Sequence, residues 1–226
     1  MLAKFRNECK HYVTEFELIG LRQRLNAVAK KDRFSTHNGG YLIKSLYFDN
    51  CYDKALNEKI MGVTNREKFR IRFYNNDTSY IRLEKKSKIN GLCLKQSAQL
   101  SAEQVQYLLD GKISWMKTAD DELVCELWAK MQYQVLRPKN IVVYDREAYV
   151  YEPGNVRVTI DSNIRGSDNI QHFLLGDEVD LRLFNQTILE VKWDEFLPQI
   201  IRDVVQLNNI KTSNFSKYAA TRFSAF

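Results

Sequence analysis

The chain is short of the residues that break or staple a fold. It has three prolines and nine glycines in 226 residues, so its elements should be long and the joins between them short. Its four cysteines, Cys9, Cys51, Cys93 and Cys125, are scattered, and none pair as C-x-x-C. That argues against a zinc or thioredoxin-type site and reads as reduced thiols. The three histidines, His11, His37 and His172, show no metal-ligand spacing. No Gly-x-Ser-x-Gly, P-loop or Gly-x-Gly-x-x-Gly motif occurs, which disfavours serine hydrolases, P-loop enzymes and dinucleotide-binding folds. No run of about eighteen apolar residues is present. Met1–Lys10 has no apolar signal core. The expectation is one domain over residues 1–226, soluble and cytoplasmic, with peripheral attachment at the inner face of a membrane through a membrane-protein partner left open.

What is present is an ordinary globular composition: 44% hydrophobic, 12% aromatic and 27% charged, with a net charge of +6. So mild an excess fits a polyanionic ligand and a merely solvated surface about equally. Period-two runs predict strands at 5–13, 41–49, 65–75, 79–89, 92–98, 140–151, 155–162 and 187–193. His37-Asn-Gly-Gly40, Asn75-Asn-Asp-Thr78 and Asn90-Gly91 punctuate as turns. Helices are expected after Thr14, with an apolar stripe of Phe16, Leu18, Ile19, Leu21, Leu25 and Val28, and at 52–61, 102–110, 121–136 and 199–207. The tail 211–226 is undecided. Strands outnumber helices and follow one another as hairpins. The predicted class is α+β, an antiparallel β-barrel tunnel with a basic interior and helices packed outside.

The strongest signal is a polarity inversion on the strands. Arg66, Lys68, Arg70, Arg72 and Tyr74 share one strand face, and Phe69, Ile71 and Phe73 share the other. Arg82, Glu84, Lys86 and Lys88 repeat the pattern against Ile81 and Leu83, and Arg157, Thr159 and Asp161 repeat it again. A half-exposed antiparallel sheet also leaves one face polar. Recurrence on four or five strands favours a sheet wrapped around an anion. Interior cation candidates are Arg6, Lys10, Arg70, Arg72, Lys86, Lys95, Arg146, Arg157 and Lys217. Such a lining supplies the positioning and charge neutralisation that phosphoryl transfer needs. Glu8, Glu84 and Glu190 are the interior carboxylates, and Glu190 is the metal-ligand candidate. An ion pair between Glu190 and Lys192 is an equally good reading of that spacing. Ser213-Asn-Phe-Ser-Lys-Tyr218 clusters hydroxyls with a lysine in a phosphate-compatible way.

In order, Arg6-x-Glu8-x-Lys10, Tyr47-Phe-Asp49, Lys68-x-Arg70-x-Arg72, Glu84-Lys-Lys86, Tyr144-Asp-Arg146, Arg157-x-Thr-x-Asp161, Ile188-Leu-Glu-x-Lys192 and Ser213-x-x-Ser-Lys217-Tyr resemble the VTC domain. This is the catalytic module of the vacuolar transporter chaperone polyphosphate polymerases, within the triphosphate tunnel metalloenzymes. The resemblance spans about residues 5–222. It implies a helix-capped tunnel in which ATP donates its γ-phosphate to a polyphosphate or pyrophosphate acceptor, with Mn²⁺ or Mg²⁺. Carried over, Lys10, Arg70, Arg72, Lys86, Lys95, Arg146 and Arg157 grip the triphosphate and the product chain. Glu190 holds the metal, and Ser216 and Lys217 complete the phosphate site. Arg6, Glu8, Tyr47, Arg82, Glu84 and Lys192 join them as substrate-binding residues. The hydrolytic branch carries Glu-x-Glu-x-Lys on its first strand, whereas Arg6 stands first here, which favours transfer over hydrolysis. The sequence also lacks the SPX sensor and membrane helices of the eukaryotic polymerases, so it resembles the stand-alone bacterial type.

Two alternatives remain at this stage: an inorganic triphosphatase or NTPase using the same tunnel, and a non-catalytic polyphosphate-binding module. Nucleic acid is not an expected partner, because the aromatics fall mainly on the apolar strand faces instead of interleaving with cations as a stacking platform requires. The oligomeric state is not legible in the sequence.

Overall fold

Alternation along the strands decides which layer each side chain joins. The computed structural model describes residues 6–33, 35–36, 39–89, 92–176, 182–206 and 215–223. Among these, the strands are β1 (Asn7–Val13), β2 (Lys30–Lys31), β3 (Tyr41–Asp49), β4 (Arg66–Tyr74), β5 (Asp77–Ile89), β6 (Leu92–Leu100), β7 (Arg137–Tyr151), β8 (Val156–Ser167), β9 (Arg182–Phe184) and β10 (Thr187–Trp193). The helices are α1 (Glu15–Val28), α2 (Lys54–Ile60), α3 (Ala102–Leu109), α4 (Glu122–Tyr133), α5 (Gln199–Val205) and α6 (Lys217–Phe223).

The strands form one antiparallel sheet in the order β1-β10-β8-β7-β3-β4-β5-β6, with β2 on β7 and β9 on β8. Its end strands, β1 and β6, share no ladder among the described residues. The sheet therefore curls into a tunnel without closing by backbone hydrogen bonds. Side chains span the gap instead: Glu8 of β1 meets Lys86 of β5 at 3.3 Å.

Local signals set the joins. Thr14 opens α1 with a full capping box to Glu17, and Ser101 opens α3 with one to Gln104. Asn75 and Asn76 both take left-handed φ, 51° and 56°. A two-residue turn of that kind matches strand twist, so β5 resumes at Asp77, two residues earlier than expected. The predicted turns at His37-Asn38 and Asn90-Gly91 lie outside the described residues.

Apolar strand faces pack under helices as the alternation predicts. Phe69, Ile71, Phe73, Ile81 and Leu83 join α3 and α4 residues such as Val105, Leu108, Val124 and Leu127 in one core. Val158, Ile160, Leu189 and Val191 join Leu18, Leu21, Leu25 and Ile201 in a second, beneath α1 and α5. The α1 stripe is narrower than expected. Phe16 and Ile19 are 90% and 60% exposed, because they turn away from the sheet that Leu18, Leu21 and Leu25 face.

A third core lies on the cation-bearing side. Ile43, Tyr47, Val142, Tyr144, Ile164 and Ile188 pack there with Leu56 of α2, and with Phe215 and Tyr218 at α6. Tyr218 donates to Asp49 at 2.7 Å, and the same carboxylate caps the amides of Ala55 and Leu56. The tail that the sequence left undecided thus carries a helix that covers part of the concave face. Its seat depends on Gly166, where an added Cβ would fall 2.5 Å from Thr221 Cβ. Gly166→Ala should therefore lift α6 and cost about 1–3 kcal/mol of stability, as overpacking does. Chemical denaturation would measure this, and an unchanged midpoint would show that α6 is not seated there.

Candidate functional site: a tunnel of cations held by four carboxylates

The ladder register carries the site from strand to strand on one face. Glu8 and Lys10 of β1 stand opposite Lys192 and Glu190 of β10. Lys192 and Glu190 in turn face Arg157 and Thr159 of β8. Thr159 and Asp161 face Ala148 and Arg146 of β7, and Arg146 faces Tyr41 of β3. On the other flank Tyr47 faces Arg70, Arg70 faces Glu84, and Glu84 faces Ser97. One row further, Lys68, Lys86 and Lys95 stand side by side on β4, β5 and β6.

Four carboxylates, three of them buried, anchor three groups of cations. Asp161 is fully buried and receives both arms of Arg146, at 2.6 and 2.7 Å, and Lys217 Nζ at 2.5 Å. Glu190 meets Lys192 at 2.8 Å, Arg146 at 3.7 Å and Lys10 at 4.0 Å. Glu8 meets Lys10 at 3.0 Å, Lys86 at 3.3 Å and Lys192 at 3.6 Å. Glu84 binds Arg70 at 2.6 Å and also pairs with Lys95. Burial alone would raise these carboxyls. The surrounding ammonium and guanidinium groups win and hold Glu190 and Glu84 well below the usual carboxylate range. Asp161 is lowered in the same way, chiefly by Arg146 and Lys217.

Two arginines also use hydroxyls. Arg72 donates to Ser45 Oγ and Tyr144 Oη, both at 3.0 Å. Arg157 donates to Tyr41 Oη at 2.9 Å and pairs with Asp32. The Tyr144 ring is a common platform, with Lys217 Nζ 4.6 Å and Arg146 Cζ 5.4 Å from its centroid. Tyr47 Oη accepts from Arg70 at 3.1 Å and its ring stacks on Tyr218.

The structure thus brings Lys10, Arg70, Arg72, Lys86, Lys95, Arg146, Lys192, Lys217, Glu8, Glu84, Glu190 and Tyr47 onto one surface. Others sit at its margins. Arg6 is held at the end of β1 by Asp194, at 2.9 Å. Arg82 is tied to Tyr80 Oη and Ser97 Oγ. Ser216 accepts from the Ala219 amide at 3.4 Å, at the start of α6. Arg157 leans toward the loop that carries Asp32. A concavity lined by Tyr41, Asn75, Asp145, Arg146 and Ser162 opens beside it.

The candidate list omitted Asp161, Tyr144 and Lys68, although all three lie in the motifs that carried the resemblance. Strand parity alone placed Lys68 with Arg70. Nothing in the sequence showed that Asp161 would neutralise two cations, one of them 56 positions away.

Among the described residues no group of three or more His, Cys, Asp or Glu side chains converges as a metal cage. The donors do suit a divalent ion that arrives on phosphate oxygens, which needs only one or two carboxylates. Glu190 is ionised and has Glu8 nearby. Its cross-strand neighbour Thr159 has a buried hydroxyl with no hydrogen-bond partner among the described residues. Ion pairing with Lys192 and service as a ligand are compatible roles for Glu190, because Lys192 approaches Oε1 at 2.8 Å whereas Arg146 stands 3.7 Å from Oε2.

Removing Asp161 should expose the energetics directly. Asp161→Asn leaves Arg146 and Lys217 without their counter-charge and should cost about 3–5 kcal/mol, measurable as a lower denaturant midpoint at pH 7. The wild type has a matching acid limit. Folded-state values depressed below the unfolded ones mean that Asp161, Glu84 and Glu190 stabilise the fold above about pH 4 and progressively cease to as pH falls further. Denaturation curves between pH 7 and 3 should show this loss, and flat stability over that range would contradict the paired arrangement.

Comparison with known proteins gives the same fold. No curated protein matches the sequence. Three solved structures superimpose over nearly the whole chain at low identity. PH1819 from Pyrococcus horikoshii OT3 has a TM-score of 0.51 and 13% identity, covering 98% of this chain and 99% of its own. An adenylate cyclase candidate from Bacillus halodurans has a TM-score of 0.50 and 12% identity, covering 100% and 89%. The Hippeastrum protein HpAC1, described as an adenylyl cyclase candidate with a dominant triphosphatase activity, has a TM-score of 0.52 and 14% identity, covering 97% and 96%. These neighbours share the triphosphate tunnel fold. The VTC domain family matches residues 5–226, and the chain belongs to that family.

Proposed function

We propose that this protein is a polyphosphate polymerase that transfers the γ-phosphate of ATP to a pyrophosphate or polyphosphate acceptor. The observation that carries the reading is the excess of tunnel cations over the four carboxylates Glu8, Glu84, Asp161 and Glu190. Lys10, Arg70, Arg72, Lys86, Lys95, Arg146, Lys192 and Lys217 outnumber them two to one. So many like charges at close range repel one another unless an anion of high charge density joins them.

In this reading Arg70, Arg72 and Arg146 present planar forks to the phosphate oxygens, while Lys10, Lys86, Lys95 and Lys217 supply point charges along the chain. Arg70 and Arg146 are pre-oriented by Glu84 and Asp161, so little reorganisation is needed as charge shifts to the leaving oxygen. The acceptor is already anionic and needs no protein general base. Glu190, with Glu8 beside it, would hold Mn²⁺ or Mg²⁺, and that ion supplies neutralisation of the phosphate oxygens. Arg6 turns aside to Asp194 and so leaves Glu8 without the second first-strand carboxylate of the hydrolytic branch. This supports transfer over hydrolysis. The triphosphatase reading draws support from the description of HpAC1, which shares the fold.

Purified protein incubated with ATP, Mn²⁺ and a pyrophosphate primer should yield a ladder of chain phosphates with matching ADP, resolved by gel and phosphorus NMR. Glu190→Gln should abolish metal-dependent turnover with the fold retained. Arg70→Ala should lower kcat about 10²–10³-fold, the scale for losing one preorganised charge-stabilising donor. Orthophosphate without chains would replace the polymerase by a triphosphatase.

A further inference from the structure

Among the described residues, the row Lys68–Lys86–Lys95 is the one place where three ammonium groups are direct cross-strand neighbours. Like charges set opposite each other destabilise a sheet. Two of the three have counter-ions: Lys86 has Glu8, and Lys95 has Glu84. Lys68 has neither an ion pair nor a hydrogen bond among the described residues. Its ammonium lies over the Tyr47 ring, 5.5 Å from the centroid. The nearest strand offers no relief, because the Asp49 carboxylate is taken up by the amides of Asn50, Ala55 and Leu56 and by Tyr218.

We infer that Lys68 is a proton-gated anion clamp: it carries only part of its charge in the empty tunnel, and takes up a proton from solvent as a linear polyphosphate anion binds against it. The inference rests on the anion-binding reading of the tunnel given above and adds a residue and a linked proton to it. The balance is simple. The amine accepts one proton released by buffer, and no covalent bond to the ligand forms.

Burial comes first among the influences on Lys68. Tyr47 on β3 is the strongest neighbouring charge and acts the other way, while Arg70 on the same strand as Lys68, Lys86 on β5 and Lys10 on β1 repel a charge there and, with burial, prevail. Together they lower Lys68 to about 7. The Tyr47 phenol, pulled by Arg70, Lys68 and Arg72 against the cost of burial, is lowered to about 7 as well. At the tunnel end Lys59 of α2 is also lowered, by burial and then by Arg66 and Lys10. A phosphate chain among these cations reverses the sign of the local field, so the lysine that lacked a counter-ion gains one. Arginine at the same position would keep its charge at every accessible pH.

The test is calorimetric titration of the full chain with tripolyphosphate between pH 6 and 8.5, in buffers of different ionisation enthalpy, for wild type, Lys68→Arg, Lys68→Met and Tyr47→Phe. The ligand's own protonation contributes equally to all four. Wild type should take up roughly half to one proton more per ligand than either Lys68 variant near pH 8. Its affinity should fall with pH above 7, by up to about tenfold per unit, relative to Lys68→Arg. Tyr47→Phe should retain the extra proton. Equal proton uptake in wild type and both Lys68 variants would overturn the inference. So would loss of the extra proton in Tyr47→Phe alone, which would assign it to the phenol. Wild type that does not bind tripolyphosphate would remove the anion-binding reading and this inference together. Binding with the proton signature but without chain synthesis would remove only the polymerase.

Discussion

Charge balance on the concave face of the sheet is the constraint from which the rest of the structure follows. A strand that turns Arg70 and Arg72 inward can be buried only if something answers their charge, since an unpaired buried ion costs several kcal/mol. Glu84 answers Arg70, Asp161 answers Arg146 and Lys217, and Glu190 with Glu8 answers Lys10 and Lys192. Each carboxylate sits on a strand beside a residue that faces an apolar core, as Leu83 does beside Glu84 and Ile160 beside Asp161. Leu189 and Val191 flank Glu190 and are fully buried beneath α1 and α5. The same alternation that builds the outer cores therefore aims the carboxylates inward.

The neutralisation is deliberately incomplete in its effect. Ions held by carboxylates are fixed in direction but partly spent, whereas Arg72 is held by hydroxyls and an aromatic face and keeps its charge available, and Lys68 completes its charge when the anion arrives. The site thus combines two kinds of cation. Arg70 and Arg146 are rigid, and Arg72 and Lys68 have no carboxylate to satisfy. A phosphate chain needs both, one for orientation and one for net attraction. The aromatic residues Tyr47 and Tyr144 are what make the second kind tolerable, by placing a π-face beside ammonium and guanidinium groups that have no carboxylate.

Helix α6 is tied to this arrangement by its side chains. Tyr218 reaches Asp49, Lys217 reaches Asp161, and Thr221 reaches Asn140 and packs on Gly166. A seven-residue helix is too short to be stable alone. It exists because its side chains find partners on β3, β7 and β8, which is why a local reading of residues 211–226 had nothing to decide with. The two-residue β2 and the three-residue β9 escaped for the same reason: so few residues show no periodicity, and only the ladder defines them.

The sequence by itself determined the strands, their two faces and the identity of most tunnel cations. These depend on period-two alternation and capping chemistry, which act between residues a few positions apart. The Thr14 and Ser101 caps, the strand Tyr41–Asp49 and the inward face of Arg66–Tyr74 needed nothing more. Which carboxylate would meet which cation was decided only by the tertiary structure. Glu8 and Lys86 are 78 positions apart, and Lys10 and Glu190 are 180. Their meeting depends on sheet order, ladder register and curl, none of which is encoded locally. For the same reason Lys68, indistinguishable from Lys86 by strand parity, was set apart from it only by the curl of the sheet, which gives Lys86 the Glu8 carboxylate and Lys68 the Tyr47 ring.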